Sequence, residues 1–167
     1  MTPTLVHGVW PWVFLVLLLA ATAWFSVVDL RERKVRNTHL LWAAGAVTAV
    51  TALMLLAEPA SWGRVVHGAV AALALFVLWL VVALISGGVG MGDVKLALLV
   101  GYLTGVHSLF TTAAAAYAAF MLGGLVGVLL VAARRGGKVR VPFAPIMLSG
   151  AIVGVLWAPA LSVTLLG

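Results

Sequence analysis

Apolar residues along this chain come neither in strict alternation nor as a single helical stripe. They come in long runs, interrupted by short clusters of charge, proline and glycine. A run of about 20 mostly apolar residues is what an α-helix needs to cross a bilayer, and the interruptions leave six such stretches. The first is expected from about Trp10 to Val28 and ends at Asp29. The second follows Thr38 and His39 and stops near Ala57, before Glu58 and Pro59; the third spans roughly Val65 to Ile85. A glycine-rich turn, Ser86-Gly87-Gly88-Val89-Gly90-Met91-Gly92, then leads into Asp93 and a short fourth span that closes between Thr104 and Ser108. The fifth reaches about Ala133, and the sixth begins around Pro142 and continues to the C-terminus. The pattern predicts an all-α, polytopic integral membrane protein: a single domain over residues 1–167, built as a bundle of six transmembrane helices.

Composition removes the soluble alternatives. The chain is 65% hydrophobic and 8% charged, with a mean hydropathy of +1.24, whereas soluble domains carry about a quarter charged residues. A net charge of +6 is also the footprint of many nucleic-acid binders. Basic residues that flank apolar spans instead face anionic headgroups and fix topology, so no nucleic-acid partner is expected. With no cysteine there is no disulfide, thiolate nucleophile or Cys-zinc site. His7, His67 and His107 fall toward one predicted side and His39 toward the other, so spacing offers no metal site and no cofactor is expected. The glycine run ends in Asp rather than Gly-Lys-Ser/Thr, and no serine occupies a G-x-S-x-G elbow.

The cations fix an orientation. Arg31, Arg33, Lys34 and Arg36 lie in one predicted loop, Lys95 follows another, and Arg134, Arg135, Lys138 and Arg140 occupy a third. These loops share one side, and only Arg64 falls opposite. Nine of the ten cations are therefore expected at the cytoplasmic face of the cell membrane, next to anionic lipid, with both termini outside. No Lys or Arg precedes the first apolar run, which is read as a span rather than a cleaved signal peptide. Gly101 and Gly105, Gly123 and Gly127, and Gly150 and Gly154 each form a GxxxG pair, expected to serve close packing inside the bundle.

Ionisable groups in or beside apolar spans are costly and often functional, and this chain has four acids. Glu58 sits in a predicted outer loop and Glu32 among the arginines of an inner one; both read as solvated surface. Asp29 and Asp93, the two aspartates, close the first span and open the fourth, which places both at the cytoplasmic ends. Two carboxylates at one membrane depth are what an aspartic protease needs: one takes a proton from water while the other, protonated, polarises the peptide carbonyl. The plainer reading is that Asp93 caps its helix and Asp29 pairs with a neighbouring cation. From Asp93 to Ser108 a helix rises only about 24 Å, short of the roughly 30 Å hydrocarbon core, so Asp93 is expected below the surface. Helix N-termini favour negative charge and C-termini disfavour it, which biases Asp93 toward the base and Asp29 toward the acid. Gly90 and Gly92 are expected to supply backbone angles closed to other residues and to admit a substrate strand. Lys95, two positions after Asp93, should not face it on a regular helix and reads as a phosphate anchor or loop tie. Asn37 and Thr38 read as caps of the second helix.

Gly90-Met91-Gly92-Asp93-Val94-Lys95 matches the pattern GxGDxK, and on it the chain resembles the type IV prepilin peptidases, GxGD-type intramembrane aspartic proteases. Asp29-Leu30-Arg31-Glu32-Arg33-Lys34-Val35-Arg36-Asn37 is similar to that family's first aspartate motif, with Arg36 where proline is usual. Val141-Pro142-Phe143-Ala144-Pro145 is similar to its P-F-G-P segment, with Ala144 in place of glycine. The resemblance covers nearly the whole chain. It implies Asp29 and Asp93 as the catalytic pair, with Gly90, Gly92, Lys95, Asn37, Pro142, Phe143 and Pro145 shaping the loops or binding substrate. It further implies cleavage of the basic leader of a prepilin or pilin-like protein, of the Flp or preflagellin kind, next to a following apolar helix. Lacking Cys, and with seven residues from Arg31 to Asn37 in its first inner loop, the chain resembles the short form without the Cys-rich methylase segment, so methyltransferase activity is not expected. The rival reading is a small transporter or assembly subunit whose aspartates bind a cation or substrate.

Overall fold

A computed structural model describes residues 8–32, 37–86, 90–132 and 143–166. Six α-helices follow in order: α1 (Trp10–Glu32), α2 (Asn37–Ala57), α3 (Trp62–Ser86), α4 (Met91–Gly105), α5 (Leu109–Ala132) and α6 (Phe143–Leu166), with one 3-10 turn at Pro59–Ser61. No strand occurs among the described residues. His7, Arg33, Lys34, Arg36, Arg134, Arg135, Lys138, Arg140 and Pro142 lie outside them, as does the side chain of Glu32.

Among the described residues, four helices are long and apolar enough to cross a membrane, over Trp10–Asp29, Asn37–Ala57, Pro59–Ile85 and Leu109–Leu129. The surface is that of a membrane bundle: Leu56, Leu84 and Ile85 stand open, the last 82% exposed. Such side chains gain nothing from water and match lipid. These features fit a multi-pass membrane protein.

The short helix lies at the centre. α4 is only 15 residues, about 22 Å, and packs against all five other helices. Val94, Leu96, Ala97, Val100 and Leu103 are all buried, so α4 is apolar around its circumference because protein surrounds it. A helix sheathed in this way need not match the bilayer thickness. Phe14, Leu18 and Phe25 of α1 and Met147 and Leu148 of α6 complete the core.

Close packing at glycine fixes two helix pairs. A Cβ at Gly101 would lie 2.6 Å from the Ala71 carbonyl oxygen, and one at Gly105 would strike the Ala71 side chain, so α4 seats directly on α3. Gly150 and Gly154 do the same for α6 on α5, where a Cβ would come within 2.6 Å of the Ala119 and Ala115 backbones. The pair expected at Gly123 and Gly127 does not pack this way. Gly127 faces open space, and a Cβ at Gly123 would only touch Ile146 at an ordinary 3.6 Å. By contrast α2 leans on α4 and α1 sparsely, and cavities lie on both of its flanks.

Candidate active site

Asp29 lies three residues from the end of α1, one turn beyond Phe25. Phe25 and Val28 face the core, and helical spacing carries Asp29 inward with them, to 7% exposure. The Ala144 backbone N–H, at the start of α6, donates to its carboxyl group. The other oxygen, Oδ2, is buried with no hydrogen-bond partner among the described residues. Buried polar atoms are nearly always paired, so an orphan of this kind calls for a functional explanation.

Asp93 is held by its own helix end. Gly90 is the N-cap of α4, and its N–H donates to Asp93 Oδ2 at 3.2 Å while the Asp93 N–H donates to the Gly90 carbonyl at 3.0 Å. The cap expected as the plain alternative is therefore real. It occupies one carboxylate oxygen and points the group back over the turn. The glycines do not act through unusual backbone angles. Gly90 sits at φ −76°, ψ 149°, open to any residue, Gly92 lies within the first turn of α4, and among the described glycines only Gly8 has positive φ. What remains is the missing side chain. A Cβ at Gly90 would stand 3.4 Å from Asp93 Oδ2, so a larger residue would screen that oxygen.

The two carboxyl groups come from opposite halves of the chain to the same end of the bundle, near enough for the charge of Asp29 to act on Asp93. The expected split into base and acid loses its motive. Asp93 lies at the N-terminus of α4, but Asp29, besides ending α1, receives a backbone N–H from the N-terminus of α6. Each aspartate thus faces a positive helix end.

The remaining expected residues fall around this pair. Lys95 Nζ donates to Asn37 Oδ1 at 3.1 Å, tying the first residue of α2 to the turn after Asp93. Lys95 is thus the loop tie, and the Asn37 oxygen expected to cap α2 is engaged with it. Phe143 packs edge-on to the buried Trp79, ring centroids 5.9 Å apart, and Trp79 stacks on Phe120 at 5.5 Å. These contacts seat the start of α6 so that Ala144, fully buried, meets Asp29. Pro145 follows half-buried, Arg31 is exposed, and Lys95 is exposed. Glu58 is exposed and accepts from the Ser61 hydroxyl at 3.1 Å, away from the pair. No three His, Asp or Glu side chains converge among the described residues.

Two participants were not marked as such by the sequence. Ala144 stood out only as a departure from a motif, and its contribution is a backbone N–H, to which side-chain identity is blind. Trp79 is one aromatic among many apolar residues of α3. Its role is visible only once α5 and α6 supply Phe120 and Phe143.

An all-helical, multi-pass membrane protein with two interacting carboxyl groups at one end of its bundle is the class these features define. The family model of the type IV leader peptidases matches residues 12–158, and the chain belongs to that family. It is also 31% identical, over 137 residues, to the prepilin leader peptidase/N-methyltransferase of Bacillus subtilis (strain 168). That match covers 81% of this chain and 52% of the relative, so the chain spans about half the relative's length. No solved structure matches.

Proposed function

We propose that this protein is a membrane aspartic endopeptidase that removes the leader from prepilins or pilin-like proteins of the Flp or preflagellin kind. The observation that carries the reading is the placement of Asp29 and Asp93 at one end of the bundle, within electrostatic reach, in a chain of the leader peptidase family. One carboxylate takes a proton from water, and the resulting hydroxide attacks the scissile carbonyl carbon. The other, protonated, gives its proton to the carbonyl oxygen. Collapse of the tetrahedral diol breaks the C–N bond, and a proton passes to the departing amine. Water is consumed and both carboxyl groups return to their starting states. The Asp29 Oδ2, without a partner among the described residues, is suited to hold the water or the carbonyl. The concentration of Lys and Arg in the loops at this end supports a cytoplasmic site in the cell membrane, with those cations against anionic lipid.

The test is the purified protein in detergent with a type IV prepilin, followed by mass spectrometry of the products. A new N-terminus at a single bond after the basic leader is the expected outcome. An intact prepilin, across several pilin types, contradicts it.

A further inference from the structure

The groove between α2 and α4 begins at Asn37 and Lys95, beside the helix turn that carries Asp93. Its α4 wall is the stripe Lys95, Leu98 and Tyr102, which starts two residues after Asp93 and runs about 10 Å along the helix. Its α2 wall includes Leu41, Ala44 and Thr51. Two hydrogen bonds bridge the walls: Lys95 Nζ to Asn37 at one end, and the Thr51 and Tyr102 hydroxyls, 3.0 Å apart, farther along. Between them lies a cavity of about 740 Å³, within the range of built ligand sites.

From this we propose that the α2/α4 groove docks the apolar segment that follows the scissile bond of the substrate, as a helix lying beside α4. The proposal rests on the peptidase reading and adds where the substrate lies. Three features select this occupant. Most of the lining is aliphatic, and two of its three hydroxyls are satisfied, since Thr51 bonds both the Val47 carbonyl and Tyr102. An apolar occupant therefore covers only the Thr48 hydroxyl without a partner among the described residues, and a helical threonine can turn its hydroxyl to the carbonyl four residues back. The groove is open at the flank of a bundle whose outer surface is apolar, with Leu41 72% exposed, and a chain entering from lipid must satisfy its own backbone, which makes it helical. Finally, the Lys95 ammonium stands at the end nearest Asp93. It repels a basic leader, so the segment inside the groove is the one on the other side of the cut.

The chain has no cysteine, so single reporters can be placed on an Asp93→Asn background that keeps the prepilin intact. With a mild oxidant such as copper phenanthroline added to take up the two electrons, Ala44→Cys and Leu98→Cys are expected to form disulfides with cysteines scanned through the prepilin's apolar segment, strongest every three to four positions. Leu125→Cys, on the exposed face of α5, is expected to form none. Labelling from the groove no stronger than from Leu125 overturns the proposal. In the active protein, Ala44→Trp should cut kcat/KM for the prepilin by about tenfold through KM. Gly45→Trp, beside it on open surface, should leave it unchanged. Full cleavage by Ala44→Trp overturns the docking and leaves the peptidase reading standing. No cleavage by the unsubstituted protein overturns both.

Discussion

The Gly90 N–H donates a 3.2 Å hydrogen bond to Asp93 Oδ2, so one carboxylate both starts a helix and lies within electrostatic reach of the second aspartate. The two duties separate by substitution. Asn keeps an oxygen that can accept the Gly90 N–H but cannot carry a proton between water and substrate. Asp93→Asn should therefore leave stability within about 0.5 kcal/mol while abolishing cleavage, whereas Asp93→Ala should lose cleavage and a further ~0.5–2 kcal/mol of cap. Thermal unfolding in detergent of the two variants checks this. Equal stability of Asn and Ala variants would show that the cap contributes nothing.

The Lys95 to Asn37 bond joins α2 to the Asp93 turn, yet both partners are exposed, and exposed polar ties are worth at most about 1 kcal/mol. Lys95→Met and Asn37→Ala should each lower cleavage with little change in unfolding temperature. The double variant should be no worse than the more affected single one, because both remove the same tie. A multiplicative loss in the double variant would mean that the two residues act separately.

Glycine positions of identical sequence pattern should respond oppositely. Gly150→Ala places a Cβ against Ala119 and should destabilise by about 1–3 kcal/mol. Gly127→Ala meets nothing and should be neutral or stabilising by up to about 1 kcal/mol. Unfolding midpoints of the two variants in one detergent decide it. A matching loss at Gly127 would place a packing partner there.

His107, in the turn between α4 and α5, is lowered from 6.5 to about 4, first by burial and then by the charge of Arg64. Below pH 6.5 the unfolded chain takes up a proton that the folded chain refuses until about pH 4. Stability should therefore fall as pH drops through that window and be flat above it. Comparing His107→Gln with the parent isolates this slope from the other histidines. Parallel curves for the two proteins would contradict it.

Much of this architecture was legible because lipid imposes it. Long apolar runs leave little choice but helices, and the six stretches appear as α1 to α6 with ends shifted by a few residues. α1 runs three residues past Asp29, and α3 begins three residues before Val65. The two aspartates stood out as candidates because acids are rare here. Their surroundings did not. The bond from Ala144 to Asp29 and the stack of Trp79 on Phe120 depend on how α5 and α6 pack, which no local pattern encodes. The failed expectation of special backbone angles at Gly90 and Gly92 has a simple cause: glycine also serves where a side chain would be in the way.

The central claim is that Asp29 and Asp93 together cleave a prepilin leader. Its most direct test is the gel mobility of a prepilin co-expressed with the parent protein, Asp29→Asn, Asp93→Asn or Glu58→Gln at matched membrane levels. Glu58→Gln retains an acceptor for Ser61 and lies away from the pair, so it serves as the acid control. The account predicts the faster-migrating, leaderless pilin with the parent and Glu58→Gln, and only the slower form with either aspartate variant. Leaderless pilin in the presence of both Asp→Asn variants would contradict it.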